Sequence, residues 1–357
     1  MGSSEAALLV LLLCSLLASI LPPSAPLGFH CSNSSAAATC LSLAGYVSPN
    51  ATTLAAVQTL FGVKHLHSIL GANNLPLSTL SNSTVSPQQT IAVPFNCSCS
   101  NSTGFSYRRP VYTVQSGDGL DHIAREVFSN LVIYQDIQQA NGIVNASLIE
   151  VGQKLWVPLP CSCDEVDGEE TVHYAHVVAA GSSVSAIAME FNVSESTLMA
   201  INGIADAKSL KAGQVLDVPL KACTSAIRND SLDSYLRVAN GRYVFTANNC
   251  VMCTCDAANN WTLDCQPSQL KPTNWSLCPS MQCEGSNLFV GNSTSTSCNR
   301  TTCAYAGYTN QTILTALVTN TTCAVSNNFA TKDIFRASSW NFFLILILSL
   351  LSFHQVK

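Results

Sequence analysis

One pattern occurs twice in this chain, at residues 112–158 and again at 174–219. A repeat of that length confines the fold to an array of small, similar units. In the first copy, Tyr112-Thr113-Val114 alternates as a short strand. Gly117-Asp118-Gly119 is a turn, and Asp118 is placed to cap the helix that follows. Leu120, Ile123, Ala124 and Val127 recur at i, i+3, i+4 and i+7, one apolar helical stripe. A second helix carries Ile133, Ile137 and Ala140 and stops at Asn141-Gly142. Leu155 and Val157 alternate with Lys154 and Trp156 in a closing strand that Pro158 ends.

The second copy follows the same order. Gly181-Ser182-Ser183 is the turn, with Ser where the first copy has Asp. Val184, Ile187, Ala188 and Phe191 form the first stripe, and Ser194 caps a helix carrying Leu198 and Ile201. Asn202-Gly203 ends that helix, Gly213-Gln214 leads into the last strand, and Leu216 and Val218 face inward. A weaker copy runs from Tyr46 to Pro94. Thr52-Thr53 starts a helix with Leu54, Val57 and Phe61, Asn73-Asn74 follows a second helix, Pro87-Gln88 takes the Gly-Gln position, and Ile91 and Val93-Pro94 close it. An unrelated helical cap is the alternative for this copy.

Together Tyr112-Thr113-Val114, Gly117-Asp118, Ile123-Ala124, Asn141, Gly152-Gln153, Leu155 and Val157-Pro158 resemble a LysM module. That is a small βααβ unit binding glycans that contain N-acetylglucosamine. The expected fold class is α+β: tandem LysM modules clamped by disulfides, then a disulfide-rich loop domain. The expected divisions are a signal peptide at 1–27, a diverged module at 28–99, modules at 111–158 and 173–220, a Cys-rich region at 223–325 and an attachment signal at 326–357.

The ends of the chain set the compartment. Leu8 to Leu21 is an apolar run too short for a membrane span and followed by small residues, as in a secretory signal peptide. A basic n-region is lacking. Near the other end, Trp340 to Phe353 is apolar for about fourteen residues, short of the about 20 that a span needs. The small polar stretch Ser326, Asn327, Asn328 with a spacer before that tail reads as a glycosylphosphatidylinositol (GPI) attachment signal. Ser338-Ser339 is an alternative attachment site that leaves no spacer.

Of 17 cysteines, Cys14 leaves with the signal, and sixteen remain, an even number for an oxidising compartment. Cys97-Ser98-Cys99 and Cys161-Ser162-Cys163 sit between modules, too tightly spaced for a zinc knuckle. Six cysteines alone allow fifteen connectivities. The resemblance to plant LysM receptors implies Cys31–Cys99, Cys40–Cys163 and Cys97–Cys161, bridges that clamp modules too small to be stable alone. Ten more cysteines lie between Cys223 and Cys323, with no helical period until Thr312 to Val318.

Only 10% of residues are charged and the net charge is −5, which gives no reason to expect nucleic acid as partner. Sequons at Asn33, Asn50, Asn82, Asn96, Asn101, Asn145, Asn192, Asn229, Asn260, Asn274, Asn292, Asn299, Asn310 and Asn320 account for solubility instead. Asn96 abuts Cys97 and is a candidate for shielding.

In the LysM fold, ligand lies between the loop after strand one and the loop before strand two. The resemblance implies Gly117, Asp118, Gly119 and Leu120 facing Asn145, Ala146, Ser147, Leu148 and Ile149. In the next module it implies Gly181, Ser182, Ser183 and Val184 facing Ala205, Asp206, Ala207, Lys208, Ser209 and Leu210. Backbone N–H and C=O groups there suit an acetamido group, and Leu148 or Leu210 suits its methyl. Core packing is the alternative for Leu120, Val184, Leu148 and Leu210, and the favoured reading for the first two. A glycan on Asn145 would crowd its groove and favour the later module.

No catalytic residue, cofactor or metal is expected. The carboxylates Asp164, Glu165, Asp167, Glu169 and Glu170 share one linker, read as a solvated loop rather than an opposed pair. His122 reads as a solvent-facing helix residue, and His173 and His176 lack a partner at metal spacing. The whole chain resembles plant GPI-anchored LysM pattern-recognition proteins. That implies a receptor on the outer face of the plasma membrane for peptidoglycan and chitin fragments. It also implies immune signalling through a LysM receptor-like kinase. A wall-attachment or glycan-scavenging protein that signals nothing is the alternative, and self-association is left open.

Overall fold

In three places an apolar helical stripe closes onto a pair of antiparallel strands. The computed structural model describes residues 28–32 and 39–321. Segments 1–27 and 326–357, with Ser326, Asn327 and Asn328, and the sequon at Asn33 lie outside the described residues. Nearly all the rest falls in one compact unit, 28–293 with 302–318. A second unit contains 294–301 and 319–321, where the hydroxyls of Thr301 and Thr319 lie 3.0 Å apart.

The first unit begins with β1 (Phe29–His30) and β2 (Thr39–Val47). Next come β3 (Thr52–Thr53), helices Leu54–Phe61 and Leu66–Ala72, β4 (Thr84–Val85), which pairs with β3, and β5 (Thr90–Ser100), which pairs antiparallel with β2. Leu54, Val57 and Phe61 are buried as the spacing requires, and Thr53 caps the first helix by accepting from Ala56 N. The residues from Tyr46 to Pro94 therefore form a βααβ unit. Its turn register differs from the sequence reading by one. Gln88, with φ of 63°, and Gln89 take the places held by Gly-Gln elsewhere.

In the second module β7 (Val111–Thr113) pairs with β8 (Lys154–Trp156) as a separate two-stranded sheet. Its first helix departs from the regular stripe. Leu120–His122 is α-helical, but Ile123–Val127 widens to a π turn, with Phe128 N bonded to Ile123 O. The wider turn leaves Val127 half-buried and buries Phe128 instead. Phe128 packs edge-on against Phe61, 5.6 Å away, and against Tyr112. The first two modules share one apolar core through this contact.

The third module, β9 (Thr171–Val177), helices Val184–Phe191 and Glu195–Ile201, and β10 (Val215–Cys223), joins the first rather than the second. β9 lies parallel to β2, with Leu43 beside Tyr174 and Ala44 beside Ala175. The seven-stranded sheet runs β1-β6-β5-β2-β9-β10-β11, with β6 at Thr103–Ser106 and β11 at Val238–Ala239. This join needs Gly45, because a Cβ there would lie 2.2 Å from the Tyr174 hydroxyl.

One asparagine fastens each module. At the end of helix two, Asn73, Asn141 and Asn202 each donate from Nδ2 to a carbonyl of their own helix and to a carbonyl of the closing strand. Each also accepts from that strand residue's N–H, at Ala92, Trp156 and Asp217. The side chain thereby serves as an extra strand residue for the helix end, whose own carbonyls lack partners.

Cys31–Cys99, Cys40–Cys163 and Cys97–Cys161 are bridged. Cys97 and Cys99 lie inside β5, not in a linker. Two apart on a strand, they share a face. Sulfurs of Cys40, Cys97 and Cys163 come together, but each is in a disulfide, so no thiolate is left for a metal.

The Cys-rich region is rich in loops, as expected, and its regular structure is mainly short strands. β12 (Tyr243–Thr246), β13 (Val251–Thr254) and β14 (Asp264–Pro267) form a sheet with bridges Cys223–Cys255, Cys250–Cys278 and Cys253–Cys265, and Cys283–Cys303 lies beyond. The helical period from Thr312 to Val318 is not realised. Ile313–Thr321 is a strand, as its Ile, Val and Thr content favours.

The acidic linker is solvated as expected, with Glu165, Asp167 and Glu169 exposed, but it is also tied down. Asp164 accepts from Ser32 N and Oγ, Asp167 from Thr197, and Glu169 and Glu170 pair with Lys221 and Arg237. His173 has a partner that spacing did not reveal. Buried on β9, it holds the Asp217 carboxylate at 2.8 Å across the β9–β10 pair, and its other nitrogen meets Asp164 O at 2.8 Å. Burial, the largest single influence, opposes its charge, but Asp217 and Asp164 together outweigh it and raise the pKa.

Two outcomes follow. Asn202→Ala leaves a strand N–H and C=O without their partner, so unfolding by urea shifts by about 1–3 kcal/mol, whereas no shift would show that solvent replaces the clamp. For His173, the ordinary pKa of about 6.5 is the unfolded value and the folded one is higher. The stabilisation is therefore complete below pH 6.5 or so and fades as pH rises through the folded pKa. The stability difference between the native protein and Asp217→Asn should shrink as pH rises, and a pH-independent difference would contradict the pairing.

Candidate functional site

Each module's two exposed loops spring from one backbone pair. Val114 N donates to Gln153 O, and Gly152 N to Val114 O, both at 2.9 Å. Val178 does the same with Gln214 and Gly213, and Ser48 with Gln89 and Gln88. The position before each glutamine is left-handed, at Gly152, Gly213 and Gln88. The glutamine side chain then locks its own turn, its Oε1 accepting from the N–H three residues back at Ser86, Glu150 or Lys211. The loop after strand one and the loop before strand two are thus held side by side at one end of each module. Sequence reading quoted Gly152-Gln153 as a motif but assigned the glutamine no role. Its recurrence was the available signal.

In the second module Gly117, Asn145, Ser147 and Leu148 are exposed, and Asp118, Gly119, Ala146 and Ile149 half-buried. Leu120 is core. Asp118 does not cap the helix. Gly119 occupies that position, while Asp118 Oδ2 accepts from Gln115 N at 2.6 Å and from the Tyr112 hydroxyl at 2.8 Å. Burial and then Asp118 push the Tyr112 pKa up to about 12. His122 is half-exposed and reaches Asp118 at 3.6 Å. The carboxylate therefore braces the loop and is committed to this chain's own donors. Leu148 is 72% exposed and Val144 98%, so this loop presents apolar surface.

In the third module Gly181 and Ser183 are exposed and Ser182 half-buried. Val184 is fully buried and belongs to the core. Ser183 caps the helix by accepting from Ala186 N. Opposite, Ala205, Asp206, Lys208 and Ser209 are exposed, with Ala207 and Leu210 half-buried against the module's core. Asp206 shapes this loop by accepting from Lys208 N, and the Ser209 hydroxyl donates to Asp206 O.

The thirteen described sequon asparagines are all exposed, Asn96 among them. Their placement ranks the grooves. The first module carries Asn50 and Asn82 in its two loops, and the second carries Asn145 in one. The third has no sequon in either loop. Its Asn192 follows the eight-residue helix, about 12 Å from the loop that starts it. One cavity of about 120 Å³ lies apart from these loops, beside Ala72, Val172 and Arg242, and another of about 410 Å³ lies between Arg125 and Tyr134 of the second module and Gly213-Gln214 at the base of the third module's loops.

The LysM domain family matches residues 112–158 and 176–219. LysM domain-containing GPI-anchored protein 2 of Arabidopsis thaliana is 51% identical over 325 residues, covering 89% of each chain. Chitin elicitor-binding protein of Oryza sativa subsp. japonica is 41% identical over 338 residues, 94% of this chain and 91% of that one. The crystal structure of the ectodomain of a receptor like kinase aligns at a TM-score of 0.44 and 22% identity, over 50% of this chain and 91% of that chain. Among the described residues, no helix is long and apolar enough to cross a membrane. The two matched modules and the near full-length identity together make this chain a member of the LysM domain-containing GPI-anchored protein family.

Proposed function

We propose that this chain is a non-catalytic, GPI-anchored receptor on the outer face of the plasma membrane, binding N-acetylglucosamine-containing glycans. The observation that carries this reading is the paired-loop geometry. Two exposed Gly- and Ser-bearing loops are held side by side by one backbone pair, and the third module repeats this with no sequon in either loop. Exposed backbone groups at Gly181 to Ser183 meet an acetamido group, and the half-buried Leu210 covers its methyl. The likeness to a chitin elicitor-binding protein over most of both chains supports chitin fragments as ligand. Peptidoglycan presents the same sugar and belongs to the proposal on that ground.

An open groove binds weakly, and a micromolar site corresponds to about −8 kcal/mol. Repetitive polymers are held nonetheless, because several sites act at an effective concentration on the order of mM. Anchored outside the cell, the chain passes its signal through a partner, and a LysM receptor-like kinase is the proposed one. Association with such a kinase only when glycan is present separates this reading from a wall-attachment or scavenging role.

The glycosylated ectodomain, residues 28–325, should be retained on insoluble chitin and peptidoglycan and released by soluble chitin oligomers. Ala205→Arg places a long side chain in the third-module loop and should cut retention about tenfold, a change of about 1.4 kcal/mol, with the unfolding midpoint unchanged. Asn145→Gln should raise retention by opening the second groove. Full retention in Ala205→Arg would move the site out of the third module, and no retention of the folded native ectodomain on either polymer would refute direct binding.

A further inference from the structure

The second module carries a cavity of about 260 Å³ on the face away from its loops. Its walls follow from the secondary structure. Thr103 and Phe105 lie two apart on β6 and share a face. Asp136 and Gln139 lie three apart on the helix Tyr134–Ala140 and share a stripe. Trp156 of β8 completes the set. The volume is just under the about 300 Å³ lower bound of small-molecule pockets, the scale of one sugar ring.

Two further observations bear on its occupant. Trp156 is half-buried and lines the cavity, so part of its indole ring faces the open space. Asn101 also lines the cavity, at the tip of the β5–β6 hairpin with φ of 51°, exposed and heading the sequon Asn101-Ser102-Thr103. A covalently attached sugar would therefore start at the cavity's rim.

The geometry points to one occupant: the first N-acetylglucosamine of a glycan on Asn101, folded back against Trp156 and Phe105. The apolar face of the pyranose covers the aromatic rings, and its hydroxyls and acetamido group meet Ser100 and Gln139 at the cavity wall. A free N-acetylglucosamine oligomer has the same chemistry. The tether favours the chain's own glycan, since attachment supplies an effective concentration on the order of mM. The docked sugar closes this cavity to free ligand and braces the β5–β6 hairpin against the second module. The inference rests on glycosylation of Asn101 and is independent of the receptor reading.

The test uses the secreted, folded glycoprotein. Glycopeptide mass spectrometry follows release by peptide N-glycosidase under native conditions at Asn101 and, as an exposed control, at Asn145. Release requires undocking, so it reports the open population. Release at Asn101 should be about tenfold slower than at Asn145 in the native protein and should approach the control rate in Trp156→Leu, which keeps an apolar side chain and removes the aromatic face, with the unfolding midpoint followed as the control for folding. An unoccupied Asn101, equal rates, or slow release unchanged in Trp156→Leu would overturn the proposal. To separate the two sugar sources, the Trp156 indole resonance is followed during titration with chitin trisaccharide. It should move only in Asn101→Gln, and movement in the fully glycosylated native protein would assign the cavity to free glycan instead.

Discussion

A βααβ unit of under fifty residues has one strand pair and two short helices with which to bury its apolar groups, and such a unit is marginal by itself. The asparagine at the end of helix two answers this limit in all three modules. It satisfies the helix end and the closing strand with one side chain and fixes their relative position. The stripe of helix one, the strand pair and the loops at its end all depend on that distance. The modules also borrow core from one another, the second from the first through Phe61 and Phe128 and the third from the first through the shared sheet.

The disulfides act on the same problem at longer range. The three among the modules close loops of 64 to 123 residues and tie segments far apart in sequence. Sharing a strand edge between the first and third modules also removes two exposed edges. The acidic linker, which must cross between them, is held by ion pairs and by the His173–Asp217 contact. The rigid frame that results confines exposed, locally braced backbone to the loop ends.

Much of this was legible in the sequence. The stripes at Leu54, Val57, Phe61 and at Val184, Ile187, Ala188 are where periodicity put them, and the caps at Thr53, Ser183 and Ser194 form as their residue types predict. Reading failed where a distant partner decides. Phe128 displaces Val127 because Phe61 and Tyr112 await it. Asp118 is drawn from the helix end to Tyr112 and Gln115. Asp164, Asp167, Glu169 and Glu170 find partners 30 to 132 residues away, invisible to spacing. In the loops, Leu120 and Val184 are core, while Gly117, Asn145, Ser147, Gly181 and Ser183 are exposed.

The central claim is that the third module's paired loops bind N-acetylglucosamine oligomers. Hydrogen exchange of the glycosylated ectodomain, with and without chitin hexamer, tests it most directly. The account predicts slowed exchange confined to peptides covering Gly181 to Val184 and Ala205 to Leu210. Protection at the second module alone, or none at saturating hexamer, would contradict it.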